Sequence, residues 1–384
     1  MSTSQRHIAV LTGKRGGYGA MKPMLRAMNN DPDIRLSLLV TDQHVNKKFG
    51  ATIKEIQTEF DVTAAVDMEQ SDGSPCSRAY ALGVCLSKMT EVLDDLVPDI
   101  LVLYGDRGEV LATATSAITL RIPIAHLQGG DISGNVDEVM RHAVTKLSHL
   151  HFPSTEASAR RIIAMGEEEW RVSVVGDNHI DLIVAREYTA PESLREKYGI
   201  NENEAPLIVL YHPETTYIRD GYTDMCNILD AVLAENRRTF IIFPCSDHGY
   251  EEIVRAIKLY EDKPNVSIHQ NIEAHDFWGL LAIAGAFIGN SSAGLIETPY
   301  FPIPSINIGD RQKGREHSNN LIHCNYEYNE MQTALKKALF DESFINTVRK
   351  CNKPFGDGYA WKRIVESLKN VELGDNLLDK RFSK

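Results

Sequence analysis

The stretch AHLQGGDISGNVDEVMRHAVTKLSHLHFPST, residues 125–155, decides the fold of this chain. An apolar run ends at Gly129 and Gly130, a short polar loop follows, and a helix-like segment then carries acids and cations at three- and four-residue spacings. A strand, a glycine turn and an amphipathic helix in this order are typical of an open α/β sheet. Because such sheets bind ligands at the carboxyl ends of their strands, we expect chemistry directly after Gly130.

The same succession recurs along the chain. Strand-like apolar runs are predicted at 7–11, 36–41, 100–104, 122–127, 207–211, 239–243, 266–269, 286–288 and 303–308. Amphipathic helices are predicted between them at 21–29, 77–96, 110–120, 224–235, 251–260 and 277–284. The alternation indicates parallel sheets with helices on both faces, and the whole series appears twice.

A chain of 384 residues exceeds what one hydrophobic core usually organises, so two domains are expected. The sequence becomes charged and irregular at about 176–206, where we place the boundary. We predict an N-terminal Rossmann-like domain at 1–177, with a C-terminal helix at 366–384 packed back on it, and a second such domain at 178–365. Two doubly wound domains facing each other across a cleft would suit a nucleotide conjugate.

Composition excludes several classes of function. The chain has 41 Lys and Arg against 53 Asp and Glu, and this net charge of −12 argues against nucleic acid or an anionic membrane as the main partner. No apolar stretch approaches the roughly 18 residues that a membrane span needs, so we expect a cytoplasmic protein. The six cysteines have no CxxC and no zinc spacing, which predicts reduced thiols and no metal site.

The first apolar run leads into the loop GKRGGYGAMKP, residues 13–23. Its glycines permit close approach of backbone to a ligand, and Arg15 and Lys22 near a helix start are suited to a phosphate. The loop matches neither the dinucleotide fingerprint nor the P-loop. A plain strand-to-helix turn with surface cations is the alternative.

Two pairs of charged residues in the first half are candidates for acid and base chemistry. Asp106 and Arg107 directly follow a strand and Gly105, although an Asp here also suits a helix N-cap. Asp137 and Arg141 are four residues apart and share a helix face, which is also the pattern of an ordinary surface ion pair. Their place just after strand ends favours the functional interpretation.

In the second half, His212 ends a predicted strand and is a candidate phosphate or proton partner, or else a structural histidine. Ser291 and Ser292 precede a predicted helix, where backbone amides, hydroxyls and the helix dipole would seat a diphosphate. Glu297 would then accept hydrogen bonds from ribose hydroxyls. The alternative for the serines is a plain N-cap.

Three cations, Arg311, Lys313 and Arg315, follow the next strand. In a chain that is acidic overall they would suit a phosphate. A solvated loop is the alternative.

In chain order, six segments resemble the UDP-N-acetylglucosamine 2-epimerase family: GKRGGYG, LYGDRGE, QGGDISGNVDEVMRHAVTKLSHLHF, HPETT, IGNSSAGLIE and INIGDRQKGRE. The resemblance spans nearly the whole chain. It is specifically to the hydrolysing branch that makes precursors of sialic-acid and legionaminic-acid type, because NSSAGLIE followed by GDRQKGR is specific to that branch. It implies a glycosyltransferase-B-like architecture.

The reaction implied by this resemblance is elimination of UDP from UDP-N-acetylglucosamine (UDP-GlcNAc), giving 2-acetamidoglucal. Water then adds to the glycal, and the products are N-acetylmannosamine and UDP. No metal and no nicotinamide cofactor are implied, and a homodimer or homotetramer is expected. The alternatives are the same reaction on a UDP- or GDP-linked 2,4-diacetamido-2,4,6-trideoxy hexose, a reversible non-hydrolysing epimerase, and a weakly active nucleotide-sugar-binding protein.

The resemblance also implies roles for individual residues. Proton transfer falls to Asp106 and Asp137, with Arg141 orienting Asp137 or the leaving group and Arg107 beside the sugar phosphate. The nucleotide is implied to contact Arg15, His212, Ser291, Ser292, Glu297 and Arg311. Phe277 or Trp278 is a candidate stacking surface for uracil, or else part of the core.

Two positions depart from the family pattern. Gln128 stands where the family carries an acidic residue or His, and Gly17 replaces an acidic residue after the first-loop arginine. Since an amide cannot exchange protons in the same way, the identity of the base is open. Either Asp106 and Asp137 share the work, or Asp131 or Glu138 substitutes.

Overall fold

The computed structural model describes residues 5–47, 51–72, 74–133, 136–214, 219–245 and 249–382. The contacts within the chain divide it into two compact units. One consists of Met1–Leu182 with Phe355–Lys384, and the other of Ile183–Pro354.

The helices and strands alternate along almost the whole chain. The strands are β1 (Arg6–Thr12), β2 (Ile34–Thr41), β3 (Val62–Val66), β4 (Ile100–Tyr104), β5 (Ile124–Leu127), β6 (Leu150–Phe152), β7 (Leu207–Leu210), β8 (Thr239–Ile242), β9 (Val266–His269), β10 (Ala286–Gly289), β11 (Ser305–Ile308) and β12 (Leu321–Cys324). The helices are α1 (Arg15–Asn30), α2 (Ile53–Gln57), α3 (Pro75–Leu96), α4 (Gly108–Thr119), α5 (Val136–Leu147), α6 (Glu156–Ala164), α7 (Asn178–Val184), α8 (Pro191–Tyr198), α9 (Gly221–Leu233), α10 (Tyr250–Lys258), α11 (Ala274–Leu281), α12 (Ala293–Ile296), α13 (Tyr328–Phe340), α14 (Glu342–Arg349), α15 (Ala360–Asn370) and α16 (Asp375–Leu378).

Each unit is built on one six-stranded parallel sheet, and the two sheets share one topology. The strand orders are β3-β2-β1-β4-β5-β6 and β12-β11-β10-β7-β8-β9. In both sheets the order reverses between the first and fourth strands of the unit, at β1/β4 and at β7/β10. These reversals are the topological switch points at which open α/β sheets bind ligands. The prediction of two Rossmann-like, doubly wound α/β domains is confirmed.

The central strands are covered by helices on both faces. In β1 and β4 nearly every residue is buried, and apolar clusters lie on both sides of the first sheet. Strands buried on both faces form continuous apolar runs rather than alternating ones. This is why the sequence indicates them so clearly.

The chain returns to the first unit through α15. The buried residues Ala360, Ile364 and Leu368 belong to the same core cluster as the buried face of α1. The carboxylate of Asp181 accepts hydrogen bonds from the backbone N–H groups of Ala360 and Trp361, both at 2.8 Å, and so caps the start of α15. The segment that returns to the first unit begins at Phe355 rather than at the predicted residue 366, because the contacts of Ala360, Trp361 and Ile364 are already with the first unit.

The end of the chain is fastened by two buried charges. The guanidinium of Arg171 donates to the backbone oxygens of Leu377 at 2.8 Å and Asn376 at 2.9 Å. The carboxylate of Glu167 pairs with Lys380 at 2.7 Å and with His151 at 3.0 Å. Burial alone would raise the pKa of Glu167, but hydrogen bonds from His151, Lys146 and Lys380 outweigh it and lower the pKa to about 2.

Replacing Glu167 by Gln is therefore expected to loosen the tail. A carboxyl pKa lowered from 4.5 to about 2 corresponds to about 3 kcal/mol of stability at neutral pH. Because the folded-state pKa is depressed, this contribution is present above pH 4.5 and is lost as the pH falls towards 2. Hydrogen exchange of peptides covering 375–382 measures it, and the difference between wild type and Glu167→Gln should shrink in acid.

Glu366→Gln is the control for this measurement, since its carboxylate is 60% exposed and pairs with Lys362 only at 3.9 Å. A change within about 0.5 kcal/mol is expected there. Equal protection of the tail in wild type and Glu167→Gln at neutral pH would contradict the assignment.

Among the described residues, no helix is long and apolar enough to cross a membrane, and no group of three or more His, Cys, Asp or Glu is arranged to hold a metal ion. All six cysteines are free thiols.

Candidate active site

The carboxyl edge of the first sheet brings Asp106 and Arg141 together as an ion pair. Asp106 follows β4 through Gly105, whose φ of +80° is a conformation that favours glycine, and Arg141 extends from α5. The side chains are 19% and 8% exposed. Arg141 also donates from Nη1 to the backbone oxygen of Asp131 at 2.9 Å. Asp106 does not cap α4, because Arg107 occupies the N-cap position.

A neutral histidine fixes the loop that carries Asp106. His126 is fully buried on β5, and burial lowers its pKa to about 3. Its Nε2–H lies 2.7 Å from the backbone oxygen of Gly105 and donates to it. His126 is thus a structural partner of the catalytic candidates that the sequence did not single out.

Arg107 lies in a network of alternating charges in which the two carboxylates are buried and the two arginines are partly exposed. Its guanidinium is 3.6 Å from Asp42 and 3.7 Å from Glu109, and Arg78 approaches the same carboxylates at 3.9 and 3.5 Å. Burial and the charge of Asp42 raise the pKa of Glu109. A Cβ at Gly13 would lie 2.6 Å from the Glu109 carboxylate, so a larger residue there would displace the Glu109 side chain. The network holds Arg107 at the β1/β4 switch point.

Gln128 faces a pair of residues that the sequence did not indicate. It has a left-handed backbone with φ of +61°, and its Nε2 donates to Oδ2 of Asp177 at 3.0 Å. The other oxygen of Asp177 accepts from the backbone N–H of His179 at 2.9 Å and lies 3.0 Å from its Nδ1. Burial, followed by the charges of Asp177 and Asp106, raises the pKa of Tyr104 well above its ordinary value. Gln128, Asp177 and His179 are therefore linked by hydrogen bonds, and the charge of Asp177 also acts on Tyr104.

The carboxylates proposed to substitute for an acid at position 128 have structural roles. Oδ1 of Asp131 accepts from the N–H of Ile132 at 2.9 Å, and Oε2 of Glu138 accepts from the N–H of Ser133 at 2.6 Å. Both therefore shape the loop between β5 and α5.

The carboxylates around Arg107 raise the pKa of its guanidinium. Burial alone would lower this pKa, but four nearby carboxylates outweigh the effect of burial: Glu109, Asp42, Asp137 and Asp106.

The glycine-rich loop opens α1, which begins at Arg15 itself. Arg15 is 54% exposed beside Glu55 at 3.3 Å, and Lys22 pairs with Glu59 at 3.4 Å. Lys22 therefore matches the surface-cation alternative. Arg15 lies exposed just past the carboxyl end of β1, on one side of the switch point.

In the second unit, a buried asparagine joins the ends of β7 and β10. Oδ1 of Asn290 accepts from the N–H of His212 at 2.7 Å, and its Nδ2 donates to the His212 oxygen at 2.9 Å. The N–H of Cys245 donates to Nδ1 of His212 at 3.0 Å. Because Nδ1 accepts, the ring proton lies on Nε2, so His212 is a neutral hydrogen-bond donor. The sequence indicated His212 but not Asn290.

Ser291 and Ser292 lie at the carboxyl end of β10, as predicted. The helix that follows, α12, has only four residues, so the predicted helix-dipole contribution is wrong: one turn has little macrodipole. The Oγ of Ser291 accepts from the N–H of Ala293 at 3.4 Å. Backbone N–H groups and hydroxyls remain as donors for an anion.

Glu297 ends α12, and its Oε2 accepts from Nε1 of Trp278 at 3.1 Å. Trp278 is only 4% exposed, and Phe277 packs edge-on against Phe287 with ring centroids 6.3 Å apart. Trp278 thus belongs to the core, as the alternative interpretation held, and it orients the Glu297 carboxylate. Phe277 is only partly buried.

Arg311 follows β11 and reaches the same asparagine. Its Nη1 donates to the backbone oxygen of Asn290 at 3.2 Å, and Gln312 donates there at 2.8 Å. Lys313 and Arg315 pair within the loop, with Asp310 and Gln312. The second switch point thus carries neutral donors and one anchored guanidinium.

The family model for UDP-N-acetylglucosamine 2-epimerase matches residues 26–369. A protein of Legionella pneumophila named UDP-N,N'-diacetylbacillosamine 2-epimerase (hydrolyzing) is 35% identical over 98% of both chains. A Neisseria meningitidis UDP-N-acetylglucosamine 2-epimerase is 30% identical, again over 98% of both chains.

The fold has solved counterparts. The crystal structure of the UDP-GlcNAc 2-epimerase from Neisseria meningitidis bound to UDP-GlcNAc superimposes with a TM-score of 0.81 at 18% identity, covering 94% of this chain and 99% of that one. The family model and these relatives name the family that the sequence motifs resemble. This chain belongs to the UDP-N-acetylglucosamine 2-epimerase family.

Proposed function

We propose that this protein is a hydrolysing 2-epimerase of a UDP-linked 2-acetamido sugar. In the first step the proton at C2 is removed, a C1–C2 double bond forms and UDP leaves with the electrons of the C1–O bond. In the second step water supplies a hydroxyl to C1 and a proton to the opposite face of C2. The products are UDP and the free 2-epimer.

The observation that carries this proposal is the Asp106–Arg141 ion pair at the end of β4, next to the β1/β4 switch point. The ion pair with a guanidinium fixes the position of the carboxylate, so that it can exchange a proton with a bound substrate without moving. Arg107, held by its carboxylates, is suited to stabilise the charge that develops as the C1–O bond breaks. Asp106 and Asp137 are proposed to take part in proton transfer.

The second unit is proposed to bind the nucleotide. Neutral donors are well suited to a diphosphate, since they form hydrogen bonds without trapping the leaving group. His212, Ser291, Ser292 and Arg311 are the proposed diphosphate partners. Glu297, oriented by Trp278, is proposed to accept from the ribose.

The comparisons favour one sugar. The Legionella pneumophila relative, at 35% identity, is named for UDP-N,N'-diacetylbacillosamine, and the Neisseria meningitidis relative, at 30%, for UDP-N-acetylglucosamine. We therefore propose a UDP-linked 2,4-diacetamido-2,4,6-trideoxy hexose as the preferred substrate. UDP-N-acetylglucosamine is the second candidate.

A substrate panel tests this proposal. Proton NMR in deuterated water should show free UDP and a 2-epimer carrying deuterium at C2, with kcat/KM for UDP-N,N'-diacetylbacillosamine at least about tenfold above that for UDP-N-acetylglucosamine. The GDP-linked diacetamido sugar completes the panel.

Each other outcome has a definite meaning. A UDP-linked epimer without free UDP would identify a non-hydrolysing epimerase. UDP binding without turnover of any sugar nucleotide would identify a binding protein. A reversed preference between the two UDP sugars would overturn the substrate assignment alone.

A further inference from the structure

We propose that His179, oriented by Asp177, is the base that removes the C2 proton, in place of the acidic residue missing at position 128. This assignment rests on the proposed function and names a residue that the family motifs do not. Epimerisation removes a proton from one face of C2 and returns it to the other. Since a group fixed on one face cannot do both, and Asp106 and Asp137 are assigned to the return of the proton, a separate base is needed for its removal.

The hydrogen bonds of Asp177 define its role. Its side chain is 6% exposed, and both carboxylate oxygens are engaged, Oδ2 by the Gln128 amide and Oδ1 by His179. A buried carboxylate with both oxygens engaged in this way is held in place beside the imidazole. Gln128 therefore supports the pair as a hydrogen-bond donor, a role that a glutamate could not fill.

The geometry of His179 is that of a base. Its Nδ1 lies 3.0 Å from Oδ1 of Asp177, and because a carboxylate only accepts, Nδ1 carries the proton. Nε2 then bears the lone pair, and the carboxylate stabilises the imidazolium that forms when Nε2 takes a proton. The side chain is 32% exposed, so the ring is open to solvent or a ligand on part of its surface.

His179 also belongs to the same edge of the sheet as Asp106. The ring of Tyr104, the last residue of β4, packs edge-on against His179 with centroids 6.4 Å apart. Asp106 is two residues beyond Tyr104, and the charges of Asp177 and Asp106 both act on that phenol. Tyr104 thus lies close both to the His179 imidazole and to Asp106, the carboxylate of the Asp106–Arg141 pair.

The proton and both electron pairs of the elimination have a defined destination. Nε2 of His179 takes the C2 proton, the electrons of the C2–H bond form the C1–C2 double bond, and the C1–O electrons leave with UDP. The imidazolium returns its proton to solvent. During hydration the Asp106 carboxylate takes a proton from the water that supplies the hydroxyl of C1 and delivers it to the opposite face of C2, which regenerates the carboxylate.

Three variants test the assignment. In His179→Gln, kcat for UDP release should fall about a hundredfold while the Kd of UDP is unchanged. In His179→Ala, added imidazole should restore UDP release, which a merely structural role would not allow. Gln128→Glu should lower kcat, because it places a second carboxylate about 3 Å from Asp177 and removes the donor.

His323→Gln is the matched control, since His323 is exposed on the outer strand β12 of the second sheet and no catalytic role is assigned to it. Wild-type kcat in His179→Gln, or Gln128→Glu more active than wild type, would overturn the assignment while leaving the proposed function intact. A wild-type protein that turns over no sugar nucleotide would overturn both.

Discussion

Asp106→Asn is expected to lower kcat about a thousandfold and to leave the Kd of UDP within about threefold of wild type. The amide keeps the shape of the carboxylate but cannot exchange a proton, so the loss falls on the chemical step. Steady-state rates of UDP release, with calorimetric titration of UDP, separate the two quantities.

Asp357→Asn is the control, because Asp357 also pairs with an arginine, Arg363 at 2.6 Å, but is 56% exposed. Its kcat should stay within about twofold of wild type. Turnover near the wild-type rate in Asp106→Asn would remove Asp106 from the chemistry.

The second large effect is expected at the partner of Asp106. Arg141→Gln leaves a carboxylate that is 19% exposed without its guanidinium, so we expect a loss of about 2–4 kcal/mol in stability. We also expect kcat to fall more than about a hundredfold, since the orientation and the charge of Asp106 both change. Thermal unfolding and steady-state kinetics measure the two effects.

A double-mutant cycle identifies the cause. If the two residues act as one unit, Asp106→Asn combined with Arg141→Gln should be no slower than the slower single variant. Additive losses in kcat would contradict this. Arg363→Gln serves as the matched arginine control, as its pair is exposed.

The sequence indicated the central strands well and the outer ones poorly. The predicted runs fall on β1, β2, β4, β5, β7, β8, β9, β10 and β11, whereas β3, β6 and β12 were missed. All three missed strands are outermost in their sheets. An outer strand is covered less completely, as the partly exposed residues of β3 show, and β6 has only three residues. Neither therefore forms a long apolar run.

The active-site candidates divide in the same way. Residues directly after a strand, such as Asp106 and His212, could be predicted because the carboxyl ends of parallel strands share one edge. Their partners could not. Gln128 and Asp177 are 49 residues apart, and spacing in the sequence reports only neighbours on the same helix or strand. Asp177 also lies in the charged and irregular stretch at about 176–206, in which the sequence predicted a domain boundary rather than a functional residue.

The discontinuity of the first unit has a consequence for the order of folding during synthesis. The second unit is one unbroken stretch, Ile183–Pro354, and can complete its core as soon as that stretch leaves the ribosome. The first unit cannot, because α15 supplies part of the core against α1 and is translated only after the second unit. Until then the nascent protein carries an uncovered apolar surface on α1, and exposed apolar surface of this kind makes a partly folded chain prone to aggregation.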